Sequence, residues 1–263
     1  DVSSYPTIFS SADYASSLYY MVLNLEQTTG VIRFIQKNND TQDTVSGTTN
    51  LADNNWHHVV VQSDGSNYLF YVDGNLESTN LDAGSDSGDW FADTPNRDNF
   101  DIGIMKWNST TSYPFNGHID EVKVYNYVRT QAQIRRDYNA GASGFGGSEG
   151  VGVGIGQRPQ QYLSQGLIGY WKMDETTWDG TPAEVVDSSG NGNHGTSTNA
   201  LATTTAKFGN AGDFNTSTNR IDIIDSDTFD FGSNNFTISG WAKINGSLSS
   251  SRSSIVNKWN TGA

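Results

Sequence analysis

The stretch "FNGHIDEVKVYNYVRT", residues 115–130, decides how the rest of the chain is read. From Asp120 to Tyr127 polar and apolar residues alternate, the period-two pattern of a strand with one buried face. Thr130 then offers a cap to "QAQIRRDYN", the one good helical run, expected over about residues 130–138. A glycine tract follows at 141–161, "GASGFGGSEGVGVGIGQRPQQ", with eight glycines. A strand, a short helix and a glycine tract have the character of an ending, yet half the chain lies beyond residue 130.

Upstream of that ending the text is strand-rich. "SLYYMVLNL" (17–25), "VIRFIQ" (31–36) and "WHHVVVQ" (56–62) carry β-branched and aromatic residues. "WHHVVVQ" and "YLFYVDG" flank the turn "SDGSN", a hairpin signal. "FDIGIM" (100–105) is a further strand, and residues 82–99 form a long polar loop with Trp90 and Phe91. Downstream of the glycines the β pattern restarts with "LIGYWKM" (167–173). A turn-dense "DSSGNGNHG" (187–195) follows, then "FGNAGDFN", "NRIDII", "NFTISGWAKI" (235–244) and "SSIVNKWN".

Composition agrees with an all-β chain. Tyr, Phe and Trp make up 12% of the 263 residues, spread along the chain, and only 17% are charged. The net charge of −14 argues against a phosphate backbone or an anionic membrane surface as partner, because each needs a basic face. Acidity of this size suits a solvated surface or divalent cations. The absence of cysteine removes disulfides, thiolate nucleophiles and Cys-ligated zinc. No apolar run reaches the roughly 18 residues of a membrane span, and no signal-peptide pattern stands at the start. Asn-x-Ser/Thr triplets at Asn39, Asn108, Asn215, Asn235 and Asn245 are expected from chance in so Asn-, Ser- and Thr-rich a chain.

Taken together, these phrases resemble the laminin-G-like, concanavalin A-like jelly rolls of bacterial surface proteins. Members tend to open with a strand like "GLIGYWKMDE", a loop like "DSSGNGNHG", then "GNAGDFN" and "FTISGWAKI". They pass through a strand like "IVNKW", continue with "NNWHHVVVQSDGSNYLFYVDG", and close with "FNGHIDEVKVYN" and a short helix. The resemblance covers most of the chain outside the glycine tract and implies an antiparallel jelly-roll β-sandwich. The order is rotated: residues 166–263 carry opening text, 141–165 a linker, and 1–140 completing text. Residues 115–130 therefore end one sandwich and 166 begins another pass.

Three accounts fit that rotation. The chain is a circular permutant, or one period of a tandem array, or it lends its second segment to a sandwich completed by the next copy. The last is a head-to-tail contact that does not close and yields filaments. A flexible tether across 140–165 spans roughly 28 Å, enough for each of the three. Strands left without partners at the cut favour the array and the filament. Within the tether, Val151, Val153 and Ile155 alternate with glycine and are candidates for a strand added to another copy.

For chemistry, the resemblance implies a comparison with the glycoside hydrolases of this fold class, which space acids as Glu-x-Asp-x-x-Glu on one strand. That spacing is absent, and adjacent acids such as Asp120 and Glu121 are expected on opposite faces. No enzymatic activity is expected. His57 and His58 are consecutive and cannot face one metal, while His118 and His194 have no second ligand in register. "GVGVGIG" lacks the helix and lysine of a phosphate loop. The resemblance implies calcium between the opening and closing strands, held by Asp120 with Asp174 or Glu175, and by Asp187 and Asn191. Sugar rings would stack on aromatic platforms, for which Trp90, Trp107 and Tyr113 are the candidates, with Trp56, Trp171 and Trp241 expected in the core. The chain is therefore expected to be a non-catalytic extracellular or cell-surface module of structural or adhesive role, partnered by copies of itself or neighbouring repeats. The alternative is a calcium-dependent carbohydrate-binding module.

Overall fold

A computed structural model describes residues 5–85, 93–140, 165–230 and 232–245. The first segment supplies β1 (Thr7–Ala12), β2 (Tyr19–Leu25), β3 (Val31–Asn38), β4 (Thr41–Asn50), β5 (Trp56–Ser63) and β6 (Tyr68–Val72). It continues with β7 (Asn75–Leu76), β8 (Asn80–Ala83), β9 (Asn99–Ile102), β10 (Met105–Trp107), β11 (Thr110–Ser112), β12 (Gly117–Tyr125) and helix α1 (Gln131–Ala140). The second supplies β13 (Leu167–Trp171), β14 (Gly195–Thr198), β15 (Leu201–Thr203), β16 (Ala211–Phe214), β17 (Arg220–Ile224) and β18 (Phe236–Ile244).

These strands build two antiparallel sheets of a sandwich. The first runs β14-β17-β9-β1-β2-β3-β4-β8 and the second β15-β16-β12-β18-β5-β6-β7, with β13 also on β12. Both sheets mix the two segments within one chain. In the second sheet β18 lies between β12 and β5, with Asp120 opposite Trp241 and Trp241 opposite His58. In the first, β17 adds to β9, placing Asp222 opposite Asp101. The interior is one cluster drawn from both segments, including Phe9, Phe34, Phe70, Trp171, Phe214 and Phe236. Alternation explains the choice: on β12, Ile119, Val122 and Val124 point inward and join it.

Each sheet also has a covered patch on its outer face. Ile134 of α1 packs on Val60 and Tyr71 of the second sheet. The hairpin β10–β11 lies over the first, where Met105, Trp107 and Tyr113 meet Ala12, Tyr20, Val22 and Ile35.

Three readings of the sequence are refined. "FDIGIM" is two strands, because Gly103 turns with φ +86° and the Phe214 ring occupies the space a side chain there would need. The strand 115–125 is not regular throughout: its register shifts between Asp120 and Lys123, and Glu121 sits at φ +55°. Strand β2, from the "SLYYMVL" run, has β1 on one side and β3 on the other, so the strand expected to lack partners at the cut has one on each edge. Val151, Val153, Ile155 and "SSIVNKWN" lie outside the described residues.

Candidate functional site

The bulge in β12 makes the site. An extra residue in one strand breaks strict alternation and re-aims side chains. Asp120 pairs with Trp241 and Lys123 with Ser239, so both occupy the outer face of the second sheet. Glu121 reaches that face too: its Oε2 accepts a 2.5 Å hydrogen bond from the Tyr170 hydroxyl and lies 3.4 Å from Lys123 Nζ. The expectation that Asp120 and Glu121 diverge is thus corrected, and the bulge is the reason.

Asp120 is fully buried. Its Oδ2 accepts a hydrogen bond from the Phe208 backbone N–H at 2.9 Å, while Oδ1 has no partner at all. Burial pushes its pKa up to about 8, and the negative charges of Glu121 and Asp174 push the same way. Asp174 arrives from the turn after β13, where Met173 takes φ +59°. Its Oδ1 accepts the Asn210 N–H at 3.2 Å, and the Asn210 side chain donates to the carbonyls of Asp174 and Glu175 at 3.0 Å each. Gly209, at φ +52°, leaves bare backbone against that carboxylate; a Cβ there would collide with Asp174 Oδ1. Two strained non-glycine residues and one necessary glycine therefore surround a pair of acids, the kind of strain that collects at binding sites.

The other candidates for the metal are committed elsewhere. Glu175 accepts the Val186 N–H at 3.0 Å and the Trp178 indole N–H at 3.2 Å. Asp187 organises its own turn, accepting from the Tyr170, Ser189 and Asn193 N–H groups and from the Ser189 hydroxyl. Asn191 donates to the Leu167 and Ile168 carbonyls at 2.9 Å. Among the described residues no three His, Asp or Glu side chains converge to hold a metal ion. The unpartnered, buried Asp120 oxygen beside Asp174 nevertheless suits a hard cation, provided backbone carbonyls and water complete the shell.

Of the aromatic candidates, Trp90 lies outside the described residues. Trp107 and Tyr113 are half-buried packing of the β10–β11 hairpin: Trp107 meets Tyr20 edge-on at 5.1 Å, and Tyr113 meets Tyr5 likewise at 5.7 Å. Trp171 is core, as expected. Trp241 is buried on the outer face, stacked on Tyr138 of α1 at 5.5 Å with Lys207 Nζ 4.1 Å above its ring. Trp56, expected inside, is half-buried on the outer face near His118. A separate cleft of about 450 Å³ is lined by Trp178, Gly180, Thr196, Thr198, Asn199 and Leu201.

Sequence reasoning missed the Phe208–Asn210 turn as part of the acid site. Its signal was the "FGNAG" phrase, a glycine and an asparagine between strands. It also missed Asp101, Lys106 and Asp222, which no motif connects.

Comparison with known proteins bears on the fold these residues build. No curated protein and no solved structure matches the chain. A laminin-G family model, described as the concanavalin A-like lectin/glucanases superfamily, matches residues 1–135, which hold β1 to β12 and the start of α1. With half of its length matched and the rest completing the same two sheets, the chain belongs to the concanavalin A-like lectin/glucanases superfamily.

Proposed function

We propose that this chain is a non-catalytic laminin-G-like module with a structural or adhesive role at a cell surface, in a repeat array, and that it holds a calcium ion at Asp120 and Asp174. The buried, unpartnered Asp120 oxygen is the observation that carries the ion. Asp120 and Asp174 would supply the carboxylate ligands, with the Phe208–Asn210 turn contributing backbone. Such an ion would join β12, the turn after β13 and the turn before β16, and stiffen that edge of the module. The non-catalytic reading draws its support from the sequence, in which the Glu-x-Asp-x-x-Glu spacing of the related hydrolases does not occur. Pairing of both segments inside one chain favours a self-contained repeat over strand exchange between copies.

Isothermal titration with calcium chloride, together with light scattering in calcium and in chelator, tests this reading. Saturable binding that Asp120→Asn and Asp174→Asn each abolish supports it. Unaltered binding in both variants, or none in the parent chain, refutes the ion. Turnover of a polysaccharide by the purified chain refutes the non-catalytic role.

A second reading, calcium-dependent carbohydrate binding, draws support from the cleft at Trp178 and Leu201, whose hydroxyl and amide lining suits sugar hydroxyls. Saturable signals on a glycan array, lost in chelator, would promote it over the structural role.

A further inference from the structure

On the outer face of the first sheet, one row of facing residues runs Thr196, Asp222, Asp101, Ser10, Val22, Ile35. Asp101 has no exposed surface, and neither of its oxygens makes a hydrogen bond of good geometry; the nearest cation, Lys106, stands 3.4 Å from Oδ1. A buried carboxyl in that condition calls for a physical reason. Its neighbours are a second carboxylate, Asp222, and the amine of Lys106, which folds back over β9 from the start of the hairpin. Asp222 is well satisfied: Arg220 Nε lies 3.0 Å from both of its oxygens and Thr198 donates to one of them at 2.9 Å.

We propose that Lys106 and Asp101 join in an intramolecular isopeptide bond, assisted by Asp222. Lys106 Nζ lies 3.4 Å from Asp101 Oδ1 and 2.8 Å from Asp222 Oδ1, so one amine touches both acids. The chemistry requires a neutral acid as electrophile, since a carboxylate repels a nucleophile, and an adjacent base to free the amine. Burial holds Asp101 well above the ordinary carboxylate range, whereas hydrogen bonds and the cations Lys106 and Arg220 hold Asp222 down at about 2. The two acids are thereby divided into a neutral partner and an ionised one. Both also hold Lys106 above the ordinary amine value against its own burial, so the free amine is a minor species and the bond forms slowly.

The step balances without any outside reagent. The ammonium of Lys106 passes one proton to the Asp222 carboxylate. The free amine attacks Cγ of protonated Asp101; a C–N bond forms and the C–OH bond breaks. The hydroxyl departs with a second amine proton as water, leaving a neutral amide and Asp222 holding the first proton. Half-burial of Lys106 under the hairpin limits the competing water. The closed loop spans only residues 101–106, so little chain entropy is removed from the unfolded state. The effect falls on the hairpin, which the bond fastens over Tyr20, Val22 and Ile35. This inference is independent of the calcium site and of the proposed role.

Intact-mass spectrometry of the purified, denatured chain tests it, followed by fragmentation of a tryptic digest. The expected mass is that of the sequence less one water, with trypsin failing to cut after Lys106 and fragment ions joining residues 101 and 106. Lys106→Arg, which keeps a cation beside Asp222, is expected at its full sequence mass. Asp222→Asn, which retains both partners, is expected to shift the population towards full mass. A parent chain at full sequence mass overturns the proposal. So does a water deficit that persists in Lys106→Arg, which would instead mark a succinimide at an Asp-Gly pair such as Asp73-Gly74, or fragment ions joining Lys106 to Asp222.

Discussion

Asp120 shows how a single residue sets a pH dependence. Its pKa in the fold is about 8 against an ordinary 3.8, because burial disfavours the charged form. The folded chain thus binds this proton more tightly than the unfolded one. The contribution of Asp120 to stability is undiminished below about pH 4, falls as pH rises towards about 8, and is flat beyond. The shift corresponds to at most roughly 6 kcal/mol. A cation in place of the proton reverses the loss, so calcium should raise the melting temperature more at pH 8.5 than at pH 5. Asp120→Asn should flatten the metal-free profile and remove the calcium response; melts by circular dichroism at both pH values check this, and a calcium effect equal at the two would defeat it. His57 contributes the opposite slope. Its ring lies 2.9 Å from Asp73 and 3.0 Å from Asp53, and those carboxylates raise its pKa above the ordinary value despite burial. Its stabilisation is full below the unfolded pKa near 6.5 and fades as pH climbs through the higher folded one. In His57→Gln that fade should disappear, leaving stability between pH 6 and 8 flatter than in the parent.

At the scale of elements, α1 and β12 mark what the sequence made legible. Thr130 and Gln133 form a capping box: the Thr130 N–H donates to Gln133 Oε1 at 2.8 Å and the Gln133 N–H to Thr130 Oγ1 at 3.3 Å. Thr130→Ala should cost about 1 kcal/mol. Ile134→Ala, which empties the contact with Val60 and Tyr71, should cost about 2–4 kcal/mol, both read from urea midpoints. Ile134 is the buried residue of this ten-residue helix, so equal costs for the two variants would contradict this picture. The helix was readable because its cap and its apolar residue are local signals. Strand β12 was readable as a strand for the same reason, but not its bulge. The register shift at Glu121 arises from pairing with β13 on one side and β18 on the other, and neither partner is near in sequence. The acid pair at Asp120 was found through the "HIDE" and "KMDE" phrases, whereas the Phe208–Asn210 turn that completes it depends on a contact 88 residues away. Asp101 and Asp222 face each other only because β17 adds to β9. Chemistry that depends on which strands become neighbours carries no local signature. Strands β1 and β4 passed unnoticed because half of "TIFSSA" and half of "TQDTVSGTTN" is serine and threonine, which blurs the apolar pattern.

For the whole molecule, the match to residues 1–135 and the topology pull apart in an instructive way. The matched residues hold most of the first sheet, but in the second they leave β12 and β5 facing an empty lane, because β18 belongs there. Removing β18 would strip Phe236, Ile238, Ala242 and Ile244 from the interior and expose the inner edges of both flanking strands. Open edges beside an unfilled core invite association between chains. Residues 1–140 produced alone should therefore be poorly folded or aggregated, without a sharp thermal transition. Cutting between the two segments tests the same proposition in the intact molecule. A protease site placed within residues 141–164 should be cleaved with the two fragments still eluting together at the mass of one chain, and melting should remain a single transition. Separation of the fragments on size exclusion in native buffer, or a cooperative melt from residues 1–140 by themselves, would mean that each segment closes its own interior. Fragments of two copies exchanging partners after cleavage, seen as mixed isotope-labelled pairs, would measure how tightly β18 is held. Slow exchange is expected, since β18 makes ladders with two neighbours and places four side chains in the common core.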